Sequence, residues 1–186
     1  MKTNGKQTDL EDTQNLQPDV EALRKRAREN VEKGAVTEGY KANRKAVIRM
    51  LNDALATELV CVLRYRRHFY MAKGANSEPI AQEFLEHAEE EQSHADALAI
   101  RITQLGGEPD LNPDTLSKRS HAQYVEGNGL QDMIKEDLVA ERIAIDSYKQ
   151  MIDFIGNGDP TTRRLLEEIL AKEEEHADDL ANIMKQ

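Results

Sequence analysis

Tryptophan is absent from this chain, cysteine occurs once, at Cys61, and aromatic residues make up only 4% of it. A lone cysteine cannot close an intrachain disulfide and fits a reducing, cytoplasmic setting. Scarce aromatics argue against a β-sandwich core. No apolar run approaches the roughly 18 residues that a membrane span needs, and the N-terminus has no apolar core of a signal peptide, so no membrane partner is expected. Positive charge is in deficit, with 25 Lys and Arg against 35 Asp and Glu, a net −10. That balance argues against nucleic acid as the main partner of the folded body and suits a protein that concentrates cations.

What is plentiful is Ala, Leu, Glu and Lys, the composition of helices. A chain of 186 residues makes one domain, or one domain with an appendage, around a sizeable core. Residues 1–18 are polar and aperiodic and read as a disordered tail. From Pro18 to Lys33 a short helix is expected, with Val20, Leu23, Ala27 and Val31 on one side. Arg24, Lys25, Arg26 and Arg28 surround it, and Gly34 ends it. The plain reading of that basic cluster is a solvated face; the sharper one is an anion- or DNA-binding arm. Residues 1–41 thus form a flexible extension and residues 42–186 the folded body.

Four long helices are predicted in that body. The first runs from about Ala42 to Lys73, with Leu51, Leu55, Glu58, Val62, Tyr65 and Phe69 along one stripe. The second opens at Ser77, read as the N-cap, and continues to about Leu105. The third spans about Leu130–Ile155, and the fourth follows Asp159-Pro160. Links one-to-two and three-to-four are short, so each pair forms an antiparallel hairpin. The link between the hairpins, residues 107–129, can run back along a bundle about 40 Å tall at 1.5 Å per helical residue. A helical turn is expected in it around Ser120–Val125. The fold class is all-α: a four-helix bundle with one long crossover between two hairpins.

Two segments of this body share a motif, Glu91-x-x-His94 and Glu173-x-x-His176, each followed by a similar Ala-Asp-x-Leu run. Helical residues three apart share a face, so each pair can aim a carboxylate and an imidazole at one point. A shift of 82 positions superimposes these pairs, and a shift of 83 carries Leu55, Glu58 and Tyr65 onto Leu138, Glu141 and Tyr148. The repeat implies a pseudo-twofold axis, on which a dinuclear metal site can sit. Glu58 and Glu141 lie mid-helix among apolar neighbours, where an inward carboxylate needs a cation. Four carboxylates (Glu58, Glu91, Glu141, Glu173) and two imidazoles (His94, His176) balance two divalent ions.

With this ligand pattern the chain from about Ala42 onward resembles the ferritin-like superfamily, and bacterioferritin in particular. The resemblance implies bridging roles for Glu91 and Glu173, terminal roles for Glu58 and Glu141, and one iron each for His94 and His176. Tyr65 matches the tyrosine beside the iron centre, and Asp137 the Asp of the family's Asp-Leu-x-x-Glu segment. The implied activity is oxidation of ferrous iron by dioxygen or peroxide on two iron ions per subunit, with manganese possible. Iron storage or detoxification and protection from oxidative stress would follow.

Departures from the pattern carry information too. Gln92 stands where bacterioferritin has its haem-ligating Met, so no haem is expected. Only ten residues follow His176, too few for the short fifth helix, which together with the N-terminal extension is similar to Dps proteins. Alternative readings are a manganese catalase, a rubrerythrin-like peroxidase (disfavoured by the single Cys), and a Dps-like DNA-protecting protein. His87 could be an extra ligand or a partly exposed helix residue. Cys61 reads as inert packing, Tyr148 as core or redox partner, and the Glu86-Glu89-Glu90 run as solvated. His68 and His121 have no constellation around them. Val60, Leu63 and Tyr70 lie off the core stripe of the first helix and point to a second buried face, hence a closed homo-oligomer. A twelve-subunit shell is favoured over twenty-four or a dimer.

Overall fold

The computed structural model describes residues 19–74 and 77–185. The tail expected at residues 1–18 lies outside the described residues. Among those described there are only helices: α1 (Val20–Arg26), α2 (Arg44–Met71), α3 (Ser77–Gln104), α4 (Pro113–Arg119), α5 (Leu130–Ile155) and α6 (Pro160–Ile183), with a 3₁₀ turn at Val31–Lys33. The Asn43 side chain caps α2 by accepting from the Ala46 amide at 3.2 Å. Asp159 caps α6 by accepting from the Thr162 amide at 2.9 Å, with Pro160 in the first turn. Gly156 ends α5 at φ 50°, a left-handed conformation that glycine adopts without a Cβ penalty.

α2 packs along α3 and α5 along α6, giving two antiparallel hairpins. The hairpins face each other with α2 against α5 and α3 against α6. The crossover runs back along α2, held at both ends and between. Asn52 Nδ2 donates to the Glu108 carbonyl, Arg119 Nη1 to the Asn52 carbonyl, and Arg64 Nη1 to the Gln123 carbonyl. From Asn52 to Arg67, which binds Glu126, this strap covers about 22 Å of helix. The molecule is a four-helix bundle of the ferritin-like kind, preceded by an N-terminal segment.

Four sequence expectations need correction. The helix of the crossover is Pro113–Arg119, not a turn at Ser120–Val125, because Asn112 caps it and Pro113 fits its first turn. Ser77 is the first helical residue of α3 rather than its cap. The basic helix stops at Arg26, and Asn30 at φ 51° separates it from the 3₁₀ turn. Val20, Leu23 and Val31 are exposed. Finally, Val60 is buried within the bundle, while Leu63 and Tyr70 remain exposed at 55% and 69%.

The apolar core is split in two. One cluster gathers Leu51, Leu55, Ala95, Leu98, Ala144, Tyr148 and Ile169. The other gathers Cys61, Tyr65, Phe84, Ala88, Ala140 and Leu180. On each of the four long helices at least one buried carboxylate lies between these two sets, Glu58, Glu91, Glu141 and Glu173, with His94 and His176 beside two of them, and these residues form the site. Each fully buried leucine contributes about 1.5–3 kcal/mol, so the two clusters can carry a polar layer between them.

Candidate metal centre

Glu58 lies on α2, Glu91 and His94 on α3, Glu141 on α5, and Glu173 and His176 on α6, all within the layer between the apolar clusters. The four carboxylates are at most 1% exposed, His176 is 1% and His94 9%. His94 Nδ1 lies 3.1 Å from Glu173 Oε1 and 3.4 Å from both Glu58 Oε2 and Glu91 Oε2. His176 Nδ1 lies 3.6 Å from Glu91 Oε1. The six residues form two overlapping groups able to hold a metal ion: Glu58, Glu91, His94 and Glu173, then Glu91, Glu141, Glu173 and His176. Glu91 and Glu173 belong to both.

Two tyrosines tie the hairpins together reciprocally. Tyr65 of the first hairpin donates to Glu141 Oε1 of the second, and Tyr148 of the second donates to Glu58 Oε1 of the first. Each leaves the other oxygen of its carboxylate turned to the centre. Among the described residues seven buried side-chain polar atoms have no hydrogen-bond partner, and all belong to the six residues: Glu58 Oε2, both Glu91 oxygens, His94 Nδ1, Glu141 Oε2, Glu173 Oε1 and His176 Nδ1. A buried polar group without a partner is costly, and seven converging on one point fit a cation pair.

Electrostatics show what protons do there in the absence of cations. Burial pushes Glu58 and Glu173 well above the usual carboxylate range, and the charge of Glu91 adds to it. Glu141 rises to about 7 for the same two reasons. Burial would raise Glu91 as well, but polar contacts from Glu58, His176 and His94 outweigh it and hold this carboxyl far down. Burial opposes charge on the imidazoles, yet Glu58 and Glu91 lift His94 to about 10, and Glu91 and Glu141 lift His176 to about 9. Protons thus occupy positions that divalent ions would take, and binding metal would release them.

Around the centre, several residues do more than their sequence context indicates. Glu90, read as solvated, contacts His176 Nε2 at 2.6 Å and so fixes that ring with Nδ1 inward. His87 is 2% exposed, not partly exposed, and stacks on His176 with centroids 4.0 Å apart. His68, read as isolated, bonds Asp137 Oδ2 at 2.7 Å, and Arg64 Nε donates to Asp137 Oδ1 at 2.7 Å. This buried triad reaches the crossover at Gln123 and Val125. Cys61 is buried, and burial raises its thiol well above the usual range, which agrees with packing rather than reactivity. Gln92 donates to Asp96 at 2.9 Å on the rim.

A four-helix bundle with one long crossover and paired His/Glu groups able to hold metal at its midpoint defines the class of ferritin-like proteins. Residues 48–186 match the ferritin family, described as a ferritin-like domain, and the chain belongs to that family. It is 31% identical over 134 residues to bacterioferritin from Rhodobacter capsulatus, covering 71% of this chain and 78% of that protein. Among solved structures it is similar to the dodecameric, bacterioferritin-related thioferritin of Bacteroides fragilis, at 33% identity and TM-score 0.75, over 78% of this chain and 88% of that one. It is also similar to the bacterioferritin of Desulfovibrio desulfuricans, solved with its diiron site in different catalytic states. That likeness has 28% identity and TM-score 0.68, over 76% of this chain and 80% of the other. No helix among the described residues is long and apolar enough to cross a membrane.

Proposed function

We propose that this protein is a ferroxidase, oxidising ferrous iron at one intrasubunit dinuclear site whose ligands are Glu58, Glu91, His94, Glu141, Glu173 and His176. The observation that carries this reading is the set of seven buried polar atoms without partners, all on these six residues. Similarity to a bacterioferritin with a diiron site supports iron as the metal. Each ferrous ion gives up one electron, and the pair reduces dioxygen or peroxide by two.

The chain's own residues supply position and charge. Glu91 and Glu173, common to both groups, would be shared by the two ions; Glu58 and Glu141 would each hold one, aimed by a tyrosine of the opposite hairpin. His94 and His176 present Nδ1 inward. The four carboxylates neutralise two divalent ions, so a ferrous pair is accepted in a dry layer and the extra positive charge made on oxidation is not balanced, which favours onward hydrolysis of the product. Elemental analysis followed by an Fe(II) oxidation assay tests the assignment: at least one metal ion per subunit and the oxidation should be lost in Glu91→Ala and in Glu173→Ala. Retention of both in both variants overturns it. Bound manganese with peroxide dismutation instead would favour the catalase reading.

The subunit is also proposed to close into a hollow homo-oligomer, with residues 42–186 as the bundle and 1–41 as an extension. Exposed Leu63, Tyr70 and Phe154 support a second buried face, and the dodecameric thioferritin supports the twelve-subunit form. Light scattering decides it, a monomer at micromolar concentration being the contrary result. Exposed basic residues of α1 would give such a shell a DNA-binding arm, testable by a salt-dependent gel shift. Haem is not expected, and a stoichiometric Soret band would refute that.

A further inference from the structure

His87 borders the centre on one side and a second cluster on the other, and its two ring nitrogens face different surroundings. Nδ1 lies 3.2 Å from the Tyr65 hydroxyl, whose single proton goes to Glu141 Oε1. With Glu141 ionised, the hydroxyl accepts from His87, which makes Nδ1 the protonated nitrogen and leaves a lone pair on Nε2. That lone pair faces Glu83 Oε1 at 3.4 Å. Ligand atoms of Glu83, His87 and Asp179 all lie within 4.8 Å of one another. No hydrogen bond reaches the carboxylate of Glu83 or of Asp179 among the described residues, so three acceptors converge with no donor between them.

The bundle itself does not require this cluster. Under the pseudo-twofold shift of 82 positions, Glu83 and His87 correspond to Leu165 and Ile169, and Asp179 to Ala97. The matching corner of the other half is thus built from apolar residues, with Ile169 in the core. Two carboxylates and a 2%-exposed imidazole stand where plain packing would serve.

We propose that Glu83, His87 and Asp179 form a third cation site, one helical turn along α3 and α6 from the dinuclear centre, that takes a divalent transition-metal ion. One nitrogen and two carboxylate oxygens suit such an ion, and small side-chain movements bring them to the usual ligand distances of about 2.0–2.2 Å. His87 also groups with Glu141 and His176, so the same ring borders both positions. An ion held outside needs only to pass this ring to reach the centre, which makes the site a waiting place for ferrous iron. The ligands stand independently of the ferroxidase reading; only this supply role rests on it.

Zn(II) alone serves as the probe, with the full chain as wild type, as Glu83→Gln/Asp179→Asn and as Glu91→Ala/Glu173→Ala. Equilibrium dialysis should give one Zn(II) per subunit fewer in Glu83→Gln/Asp179→Asn than in wild type. Anomalous diffraction should place a zinc beside His87 Nε2 in wild type and in Glu91→Ala/Glu173→Ala, and not in Glu83→Gln/Asp179→Asn. Equal stoichiometry in wild type and Glu83→Gln/Asp179→Asn, or no peak at His87 in wild type, overturns the site. A faulty dinuclear assignment gives a different pattern: Glu91→Ala/Glu173→Ala then binds as much zinc as wild type while Glu83→Gln/Asp179→Asn still loses its ion. For the supply role, Fe(II) oxidation at sub-saturating iron should slow severalfold in Glu83→Gln/Asp179→Asn; an unchanged rate removes that role.

Discussion

Glu90 holds Nε2 of His176 at 2.6 Å, whereas the residue that the 82-position shift puts in its place for His94 is Lys172, a donor with no acceptor to offer. The contrast extends through both hairpins. His87 corresponds to Ile169, Asp137 to Ala54, Arg64 to Ser147 and His68 to Met151. The Glu141–His176 half therefore sits in a polar network reaching the crossover, and the Glu58–His94 half sits against the apolar cluster around Leu55 and Ile169. The six ligand candidates and two tyrosines are symmetric because two like ions would ask for like donors. Their neighbours answer to nothing so strict, and they have diverged.

Removing a shared ligand should have the largest effect and be blind to the asymmetry. Glu91→Ala and Glu173→Ala should each weaken binding of at least one metal by about a hundredfold or more, beyond the 10–100-fold typical of outer-shell changes. Unequal losses in the two variants, read by metal titration, would show that the halves already differ at the bridge.

The metal-free protein should lose stability as pH rises. Glu141 at about 7 in the folded state lies above its unfolded value, as do His94 at about 10 and His176 at about 9. The folded form then holds more protons, so stability present at about pH 4–5 is lost progressively, through pH 7 for Glu141 and pH 9–10 for the imidazoles. Bound metal should reverse the trend, because it replaces those protons. Thermal melts from pH 5 to 9, with and without chelator, check this; a chelator-insensitive melt would place the cluster in water.

Asp137→Ala breaks the network on one half only. It leaves the buried Arg64 charge unpaired, at a cost of about 3–5 kcal/mol, or roughly 10 °C in melting temperature for a chain this long. The matching position is already Ala54, so the other half has nothing comparable to lose. Glu90→Gln should have a smaller, local effect, lowering affinity at the His176 position by about tenfold and leaving the His94 position alone. Lys172→Gln, the mirror change, should alter neither, since Lys172 reaches only exposed or half-exposed carboxylates.

The four long helices, their pairing into hairpins and the shared face of each Glu–His pair are legible in the sequence because each depends on spacing along the chain. Glu91 and His94 share a face at i,i+3 whatever surrounds them, and Gly156 or Asp159-Pro160 end and start helices locally. The crossover helix is not legible from apolar spacing, because the Asn112 cap and Pro113 set it and none of its residues is buried. Val60 was assigned outward because one stripe was counted, whereas α2 is flanked by α3, α4 and α5 and buries more than one.

Composition and periodicity by themselves determined an all-helical bundle with an acidic, histidine-paired layer. They could not determine that Glu90 meets His176, that Tyr65 and Tyr148 cross to the opposite hairpin, or that Asp137 joins Arg64 to His68. Those contacts join residues 69 to 90 positions apart, on helices whose relative rotation no local spacing encodes. Packing of the two apolar clusters sets that rotation, and with it which side chains are sealed from water. A carboxylate's surroundings in three dimensions, not its neighbours in the chain, decide whether it is solvated surface or part of a metal centre.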